Sequence, residues 1–308
     1  MDSIPIDGFT VEPTEEKKTL RLEITRLFDD SPVSLPTGLI SNGEDTKVCI
    51  ISGQHGNEWN GIYSSQKFFK NVPHEAVKGT LIVIPIVNPL AFNEKSRVSS
   101  VDSIDLNRTY LNHSYRKPAE QIGTKLFAEL FGETDYIIDI HGGGPGEYSP
   151  HVAVTDENLI EKASDLLLPD VYLGSSSSGS LASACAKENI PLFTVEAGKR
   201  RHIDRAYTDK IIKGLENFLK GVDMLDGKPQ EGKPVVHSNK DKVTSPASGF
   251  FTPQVDLGDR IEKGDKIGEL EKLFGEEKII RTSVSGKILY LRSEKVVSKG
   301  ENLIHVTW

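Results

Sequence analysis

Apolar and polar residues follow two different patterns along the chain. Between about residues 46 and 220, short apolar runs alternate with segments whose apolar residues recur every three or four positions. The continuous runs are typical of strands buried on both faces of a sheet, and the spaced segments indicate helices. We therefore predict an α/β fold with a mostly parallel or mixed sheet and helices on both faces. The predicted strands are residues 48–52, 81–87, 136–140, 152–155, 171–173 and 192–195, and the predicted helices begin near residues 59, 118 and 181 and cover residues 211–219.

The pattern changes after residue 225. The segment DGKPQEGKP, residues 226–234, is rich in Gly, Pro and Lys and is typical of a linker. We predict a large domain over residues 1–233 and a small domain over residues 234–308.

The small domain contains an internal repeat. The dipeptide GF at residues 249–250 precedes IEKG at 261–264, and GKI at 286–288 precedes VSKG at 297–300. Two similar arms of short strands predict a small all-β sandwich. This unit resembles the barrel-sandwich hybrid of biotinyl and lipoyl carrier domains, in which a modified lysine lies on the hairpin between the repeats. Lys272 is the nearest candidate, and a solvated lysine on a structural domain is the alternative that the residues favour.

Composition and charge narrow the class of protein. The 308 residues include 37 Lys and Arg against 45 Asp and Glu, a net charge of −8, so we expect no nucleic-acid partner. No apolar run approaches the roughly 18 residues of a spanning helix, and the acidic start differs from a signal peptide. Cys49 and Cys185 lie in apolar segments, and we interpret both as small buried residues with free thiols, which are typical of proteins in a reducing compartment. We expect a cytoplasmic protein with no membrane partner. Whether the protein forms a homo-oligomer stays open.

The first candidate for chemistry is HGNE, residues 55–58, between a predicted strand and a predicted helix. Ligands bind at such loops, on the carboxyl edge of a parallel sheet. The imidazole of His55 and the carboxylate of Glu58 can converge on one metal ion. This short motif is weak alone, because about one such pair is expected by chance in a chain of this composition.

A third candidate ligand is His141, which follows the predicted strand 136–140 and precedes GGGPG. It therefore belongs to the same edge of the sheet. Two His and one Glu leave a zinc ion an open fourth position, as in hydrolytic rather than structural sites. The other six histidines compete less well by their positions, and they are His74, His113, His151, His202, His237 and His305.

Glu196 ends another predicted strand, in LFTVEAG. A carboxylate there is costly to bury unless a cation or a hydrogen-bond donor faces it. We interpret Glu196 as the general base that takes a proton from zinc-activated water and passes it to the leaving amine. The alternative is a stabilising pair with an arginine.

The polar segment RVSSVDSIDLNR, residues 97–108, supplies Arg97, Asn107 and Arg108. Guanidinium groups bind carboxylates through two hydrogen bonds and can stabilise a developing oxyanion. The candidate pieces thus follow the order HxxE, R…DLNR, H, E along the chain.

Together these segments resemble a known family. GQHGNEWNG, NPLAFNEKSRVSSVDSIDLNR, IIDIHGGG and FTVEAG are similar to motifs of the succinylglutamate desuccinylase and aspartoacylase family, a branch of the zinc carboxypeptidase-like fold. The similarity spans about residues 45–200, and a small C-terminal β-domain also fits that family. After DLNR this chain continues with Thr109-Tyr110-Leu111, where many members have Phe-Pro-Gly.

The resemblance implies a zinc-dependent amidohydrolase that cleaves the linear amide of an N-acyl amino acid. The acyl group would be acetyl or succinyl, and the amino acid aspartate-like or glutamate-like. The resemblance implies one Zn²⁺ per chain held by His55, Glu58 and His141, with Glu196 as the base. By the same resemblance Arg97 polarises the scissile carbonyl. The resemblance also implies that Asn107 and Arg108 bind the α-carboxylate of the substrate.

A basic segment follows the predicted base, KRRH at residues 199–202 and then Arg205. If it borders the cleft, it would favour substrates with additional carboxylates. The alternative is a solvated helix start balanced by Asp204 and Asp209.

Two other functions stay open at this point. One is a zinc carboxypeptidase acting on peptide C-termini, which shares the metal chemistry. The other is a non-catalytic protein that binds zinc or acts as a carrier.

Overall fold

The computed structural model describes residues 2–43, 46–111 and 116–308, so His113 lies outside the described part of the chain. The strands in chain order are β1 (Asp2–Pro5), β2 (Lys18–Arg26), β3 (Pro32–Ser41), β4 (Lys47–Ser52), β5 (Thr80–Ile84), β6 (Tyr136–His141), β7 (Gly146–Val154), β8 (Asp170–Leu173), β9 (Leu192–Gly198), β10 (Val235–His237), β11 (Lys240–Thr244), β12 (Gly249–Pro253), β13 (Arg260–Ile261), β14 (Lys266–Glu271), β15 (Lys278–Arg281), β16 (Gly286–Arg292), β17 (Val296–Val297) and β18 (Asn302–Thr307). The helices are α1 (Trp59–Asn71), α2 (Pro89–Asn93), α3 (Pro118–Glu129), α4 (Ile160–Ser164), α5 (Leu181–Glu188) and α6 (Arg205–Gly221).

A large mixed sheet forms the centre of the molecule. Its described strands follow the order β1-β2-β3-β5-β4-β6-β9-β7-β16-β18-β11, with β8, β10 and β13 attached beside this path. The four strands β5, β4, β6 and β9 run parallel, and their carboxyl ends therefore meet at one edge. The predicted α/β fold with a mixed sheet is confirmed.

Each predicted strand has a counterpart, with different ends. β5 stops at Ile84 instead of residue 87, because Pro85 follows and has no N–H for the sheet. β9 continues past residue 195 to Gly198, so Glu196 lies inside a strand. The antiparallel strands β2 and β3, on the far side of β5, are not among the predicted strands.

Helices cover both faces of the sheet. On one face α1 and α6 pack on the parallel strands around Phe68, Phe193 and Phe218, which are fully buried. On the other face α3 and α5 pack around Phe131 and Leu181. Cys49 and Cys185 belong to this second core as free thiols, as predicted, and burial raises the pKa of both. Of the described helices, none has the length and apolar content to traverse a bilayer.

The C-terminal strands enclose a separate hydrophobic core around Phe251 and Ile267. Their internal repeat is visible in the pairing, because β12 of the first arm pairs with β17 of the second, and β16 of the second pairs with β13 of the first. The strands β15-β14-β12-β17 form a small antiparallel sheet, whereas β16, β18 and β11 extend the large sheet through the pair β16–β7. The C-terminal all-β unit is therefore joined to the rest by main-chain hydrogen bonds, and the boundary at residue 234 stays a prediction.

Candidate active site

The carboxyl edge of the parallel strands carries the predicted site. β4 ends at Ser52 and leads into the HGNE loop, β6 ends at His141, and β9 carries Glu196 near its end. His141 and Glu196 are register partners on β6 and β9, so their side chains point to the same face of the sheet. The structure thus brings together segments that are far apart in the chain.

His55, Glu58 and His141 form a buried cluster. One potential ligand atom from each lies within 4.8 Å of the others. Each carboxylate oxygen of Glu58 contacts one histidine. Oε1 lies 2.8 Å from Nδ1 of His55, and Oε2 lies 2.9 Å from Nδ1 of His141. Burial opposes the ionised carboxylate, but the two imidazoles hold the pKa of Glu58 well below its ordinary value. The cluster therefore presents an ionised carboxylate between two nitrogen donors.

Each histidine is oriented by a second carboxylate. Nε2 of His55 lies 3.1 Å from Oδ1 of Asp105, and Nε2 of His141 lies 3.0 Å from Oδ2 of Asp139. Burial disfavours protonated imidazole, but the neighbouring carboxylates outweigh it and raise the pKa of both histidines. A carboxylate on the outer nitrogen fixes the orientation and tautomer of a metal-binding histidine.

A hydrogen-bond chain continues inward from Asp139. Nε2 of Gln54 donates to Oδ2 of Asp139 at 2.6 Å, and the hydroxyl of Tyr110 donates to Oε1 of Gln54 at 2.9 Å. All three side chains are buried. These three residues and Asp105 are not among the site residues predicted from the sequence, although an aspartate inside the apolar strand YIIDIH is a signal that it has a fixed partner.

Two glycines allow backbone segments around the site to pack in direct contact. A Cβ on Gly61 in α1 would lie 2.5 Å from the carbonyl oxygen of Ile140, the residue before His141. A Cβ on Gly56 would lie 2.1 Å from backbone atoms of Ala91 and Phe92 in α2. Close backbone contact at both places holds the HGNE loop against β6.

Glu196 lies beside the cluster, on the strand next to that of His141. Its Oε2 is buried and has no hydrogen-bond partner in the described part of the protein. Burial raises the pKa of Glu196 to about 7, with the positive field of His141 acting in the opposite direction. The alternative of a stabilising arginine pair is not supported, since no described cation lies within ion-pair distance of this carboxylate.

Arg97 reaches the cluster from the loop after α2. Its Nη2 donates to Oδ2 of Asp105 at 2.9 Å, and its Nη1 lies 3.6 Å from Oε1 of Glu58. The guanidinium is 45% exposed, so one side remains open to the cleft. Asp105 thus orients both His55 and Arg97.

Asn107 and Arg108 lie in a 3₁₀ turn, Leu106–Arg108, which the side chain of Asp105 caps. Oδ1 of Asn107 accepts a hydrogen bond of 2.9 Å from the backbone N–H of Leu181 at the start of α5. This contact uses the amide oxygen and leaves the NH₂ donors of Asn107, a residue that lines the cleft, without a hydrogen bond among the described contacts. Arg108 is exposed and bonds only the carbonyl of Asn107 among the described contacts.

A cleft of about 510 Å³ contains all seven predicted residues. Its far wall comes from the C-terminal unit and includes Lys240, Tyr290, Arg292 and His305. The basic segment of residues 199–202 and Arg205 is absent from the described lining. Arg200 instead pairs with Glu294, and Nε of Arg201 donates to the carbonyl of Lys95, so of the two readings the structure supports the alternative to a cleft border.

The fold and the site define an α/β protein with a buried His–Glu–His cluster at the carboxyl edge of its sheet. A family model described as the succinylglutamate desuccinylase/aspartoacylase catalytic domain matches residues 44–222, more than half of the chain. The protein belongs to this family.

Two curated relatives match shorter segments. N-alpha-acetyl-L-2,4-diaminobutyric acid deacetylase of Halomonas elongata is 30% identical over 112 residues, 36% of this chain and 33% of that protein. A probable aspartoacylase of Nostoc sp. is 32% identical over 105 residues, 31% of this chain and 34% of that protein. The matches span about a third of the length of either relative.

Solved structures share the fold over nearly the whole chain. The product-bound ectoine utilization protein EutE (DoeB) of Ruegeria pomeroyi has a TM-score of 0.87 at 23% identity and covers 97% of both chains. A succinylglutamate desuccinylase/aspartoacylase of Rhodobacter sphaeroides has a TM-score of 0.88 at 18% identity, covering 97% of this chain and 98% of that chain.

Proposed function

We propose that the protein is a zinc-dependent deacylase that hydrolyses the amide bond of N-acyl amino acids. The observation that carries the proposal is the buried cluster of His55, Glu58 and His141, with Glu196 in register beside His141. The family model and the names of the two curated relatives support acyl amino acids as the substrate class.

The chemistry of the donor set fits zinc. His55, Glu58 and His141 would hold the ion through two imidazole nitrogens and a carboxylate, the ligand set of catalytic zinc sites. Asp105 and Asp139 occupy the outer nitrogens, which leaves both Nδ1 atoms facing the carboxylate of Glu58. When bound, zinc supplies Lewis-acid activation of water and of a carbonyl group.

Glu196 moves the proton of the reaction. Its unpartnered Oε2 accepts a proton from the attacking water and then delivers it to the amide nitrogen as the carbon–nitrogen bond breaks. Burial without a bonded partner favours the protonated form of Glu196, so this carboxylate readily takes up the proton before passing it on. The products are a free carboxylic acid and a free amino acid.

Three other side chains bind and orient the substrate. Arg97, held by Asp105, places a guanidinium beside Glu58, where it can stabilise negative charge on the carbonyl oxygen. The free amide NH₂ of Asn107 and the guanidinium of Arg108 bind the α-carboxylate.

The test is a hydrolysis screen of N-acetyl and N-succinyl amino acids, with dipeptides as comparison and metal content measured on the same sample. We expect turnover of acyl amino acids by protein containing about one zinc per chain. Faster hydrolysis of dipeptides would indicate a carboxypeptidase instead. Zinc binding without turnover of either group would contradict the proposal.

A further inference from the structure

The strand β7 contains a β-bulge beside Glu196. In its antiparallel pair with β9, Tyr148 is the register partner of Gly198, and His151 is the register partner of Glu196. Two residues of β7 therefore lie opposite a single residue of β9. Residues three positions apart on a regular strand point to opposite faces, but the extra residue of the bulge brings Tyr148 and His151 to the face of Glu196.

The side chain of His151 stabilises this bulge. Its Nδ1–H donates to the carbonyl of Ser149, inside the bulge, at 2.8 Å. Pro150, the other residue of the bulge, has no N–H that would need a partner in the sheet. Burial lowers the pKa of His151 to about 4, so the ring is neutral near neutral pH. The direction of Tyr148 is therefore set by a bonded feature of the backbone.

The ring of Tyr148 packs among three other rings. Its centroid lies 4.9 Å from that of Tyr290, 5.8 Å from that of His151 and 5.9 Å from that of His305. Tyr290 and His305 belong to the C-terminal unit, and their rings stack on each other. Contacts from both parts of the chain therefore fix the ring of Tyr148, which lines the cleft.

The hydroxyl of Tyr148 is free to bind a ligand. It makes no hydrogen bond within the described ranges and, unlike Oε2 of Glu196, is not sealed from the cleft. Burial raises the pKa of this phenol well above its ordinary value, and the negative charges of Glu196 and Glu58 act in the same direction. The phenol therefore keeps its proton near neutral pH, and its hydroxyl lies within electrostatic range of the reacting groups.

The order of the strands places Tyr148 on the side of the departing amine. β9 lies between β6 and β7, so His141 and Tyr148 flank Glu196 on opposite sides. In the proposed reaction, Glu196 carries a proton from the metal side of the site to the amide nitrogen. A group beyond Glu196 therefore faces this nitrogen, whereas the carbonyl oxygen lies towards the metal ligands and Arg97.

We propose that Tyr148 is a further catalytic residue, whose phenol oxygen accepts a hydrogen bond from the N–H of the scissile amide. This inference rests on the proposed function. Glu196 gives its proton to the nitrogen, and the electron pair of the breaking carbon–nitrogen bond stays on the nitrogen. Tyr148 loses no proton in this step. Because the protonated nitrogen is a stronger donor, the hydrogen bond to Tyr148 strengthens towards the transition state and accelerates the chemical step.

The experiment compares Tyr148→Phe with Tyr136→Phe in the full-length, zinc-loaded protein. The first variant keeps the ring of Tyr148 and removes only its hydroxyl. Tyr136, at the start of β6, packs against Phe193 and lies outside the described lining of the cleft, so its variant is the matched control.

The substrates form pairs of an amide and the corresponding ester. The amides are N-acetylaspartate, N-acetylalanine and N-succinylalanine, and the esters are O-acetylmalate, O-acetyllactate and O-succinyllactate. Each ester has an oxygen in place of the amide N–H, so it offers the phenol oxygen of Tyr148 no hydrogen to accept. A catalytic role through the N–H and a general disturbance of the site therefore give different results.

We expect Tyr148→Phe to lower kcat for the amides about 10- to 100-fold and to change KM by about twofold or less. The esters should be hydrolysed at nearly the wild-type rate. Tyr136→Phe should leave the hydrolysis of both classes unchanged. The zinc affinity, measured by competition with a chelator, and the melting temperature should stay close to the wild-type values in both variants.

The two failures can be told apart. Wild-type protein that hydrolyses none of these amides contradicts the proposed function. An unchanged kcat for the amides in Tyr148→Phe, a change confined to KM, or an equal fall for amides and esters overturns the role of Tyr148 alone. If wild-type protein hydrolyses the amides but not the esters, the kcat of the amides decides by itself.

Discussion

His141 and Glu196 are register partners on the adjacent parallel strands β6 and β9. His141 belongs to the buried cluster of potential metal ligands, whereas Glu196 keeps a buried oxygen without a partner in the described structure. Because register partners in a parallel pair point to the same face, a candidate ligand and a candidate base are held side by side by main-chain hydrogen bonds. This arrangement separates metal binding from proton transfer, so that each can be altered alone.

Replacing Glu196 with Gln should abolish most of the activity and leave the metal content unchanged. The amide keeps the size of the side chain but cannot accept the proton, and loss of a general base costs about 10² to 10⁴ in kcat. Steady-state kinetics and zinc analysis on the same preparation measure both quantities. Glu188→Gln, at an exposed position of α5, is the control. Loss of zinc in the Glu196 variant would instead identify Glu196 as a ligand.

The chain from Asp139 to Tyr110 should affect metal affinity. Asp139→Asn removes the carboxylate that orients His141, and we expect zinc affinity to fall about 10- to 100-fold. Tyr110→Phe removes the hydrogen bond to Gln54, which contacts His141 only through Asp139, so the loss of zinc affinity should be smaller. Competition with a zinc chelator measures both variants without reference to activity. Equal affinities in wild type and both variants would refute this role.

Asn107→Asp should raise KM for acyl amino acids. The carboxylate retains the acceptor for the N–H of Leu181, so the start of α5 stays fixed. It replaces the amide donor with a negative charge that repels the α-carboxylate, and we expect KM to rise about tenfold or more. The melting temperature should not change. An unaltered KM would show that the amide of Asn107 does not contact the substrate.

Gly61→Ala should destabilise the protein and weaken metal binding. The added methyl would meet the carbonyl oxygen of Ile140, which pushes α1 and the adjacent Glu58 away from β6. Such overpacking costs about 1–3 kcal/mol. Gly132→Ala, where the nearest atom is 3.8 Å from the added Cβ, is the matched control. Urea unfolding and zinc titration measure the two effects, and identical results for both variants would contradict the packing argument.

His305 should make folding stability depend on pH. Burial, helped by the positive field of Lys240 and Lys242, lowers its pKa to about 3 in the folded protein, below the ordinary 6.5. Between these values the unfolded chain binds a proton that the folded chain does not, so stability falls as the pH drops. The slope from this one group is at most about 1.4 kcal/mol per pH unit.

The measurement compares urea unfolding of wild type and His305→Phe between pH 7 and pH 4. The phenyl ring keeps the stacking on Tyr290 and removes the titratable nitrogen. The free energy of unfolding of the variant should therefore decline less on acidification than that of wild type. Parallel curves would show that His305 does not control this pH dependence.

The sequence by itself determined the ligand candidates and their common location. Continuous apolar runs identify β4, β6 and β9 as buried strands, and parallel strands necessarily place their carboxyl ends at one edge. His55, Glu58, His141 and Glu196 follow from that rule, because each comes at or just after the end of such a run.

Only the tertiary structure decided what surrounds these residues. Asp105, Gln54 and Tyr110 become partners of the cluster through contacts between distant segments, which no local pattern encodes. The same holds for charge: Arg200, in the basic run after Glu196, pairs with Glu294, whereas the isolated Lys240 lines the cleft. Residue spacing sets which side chains share a face within one element, whereas pairing between elements sets which faces meet.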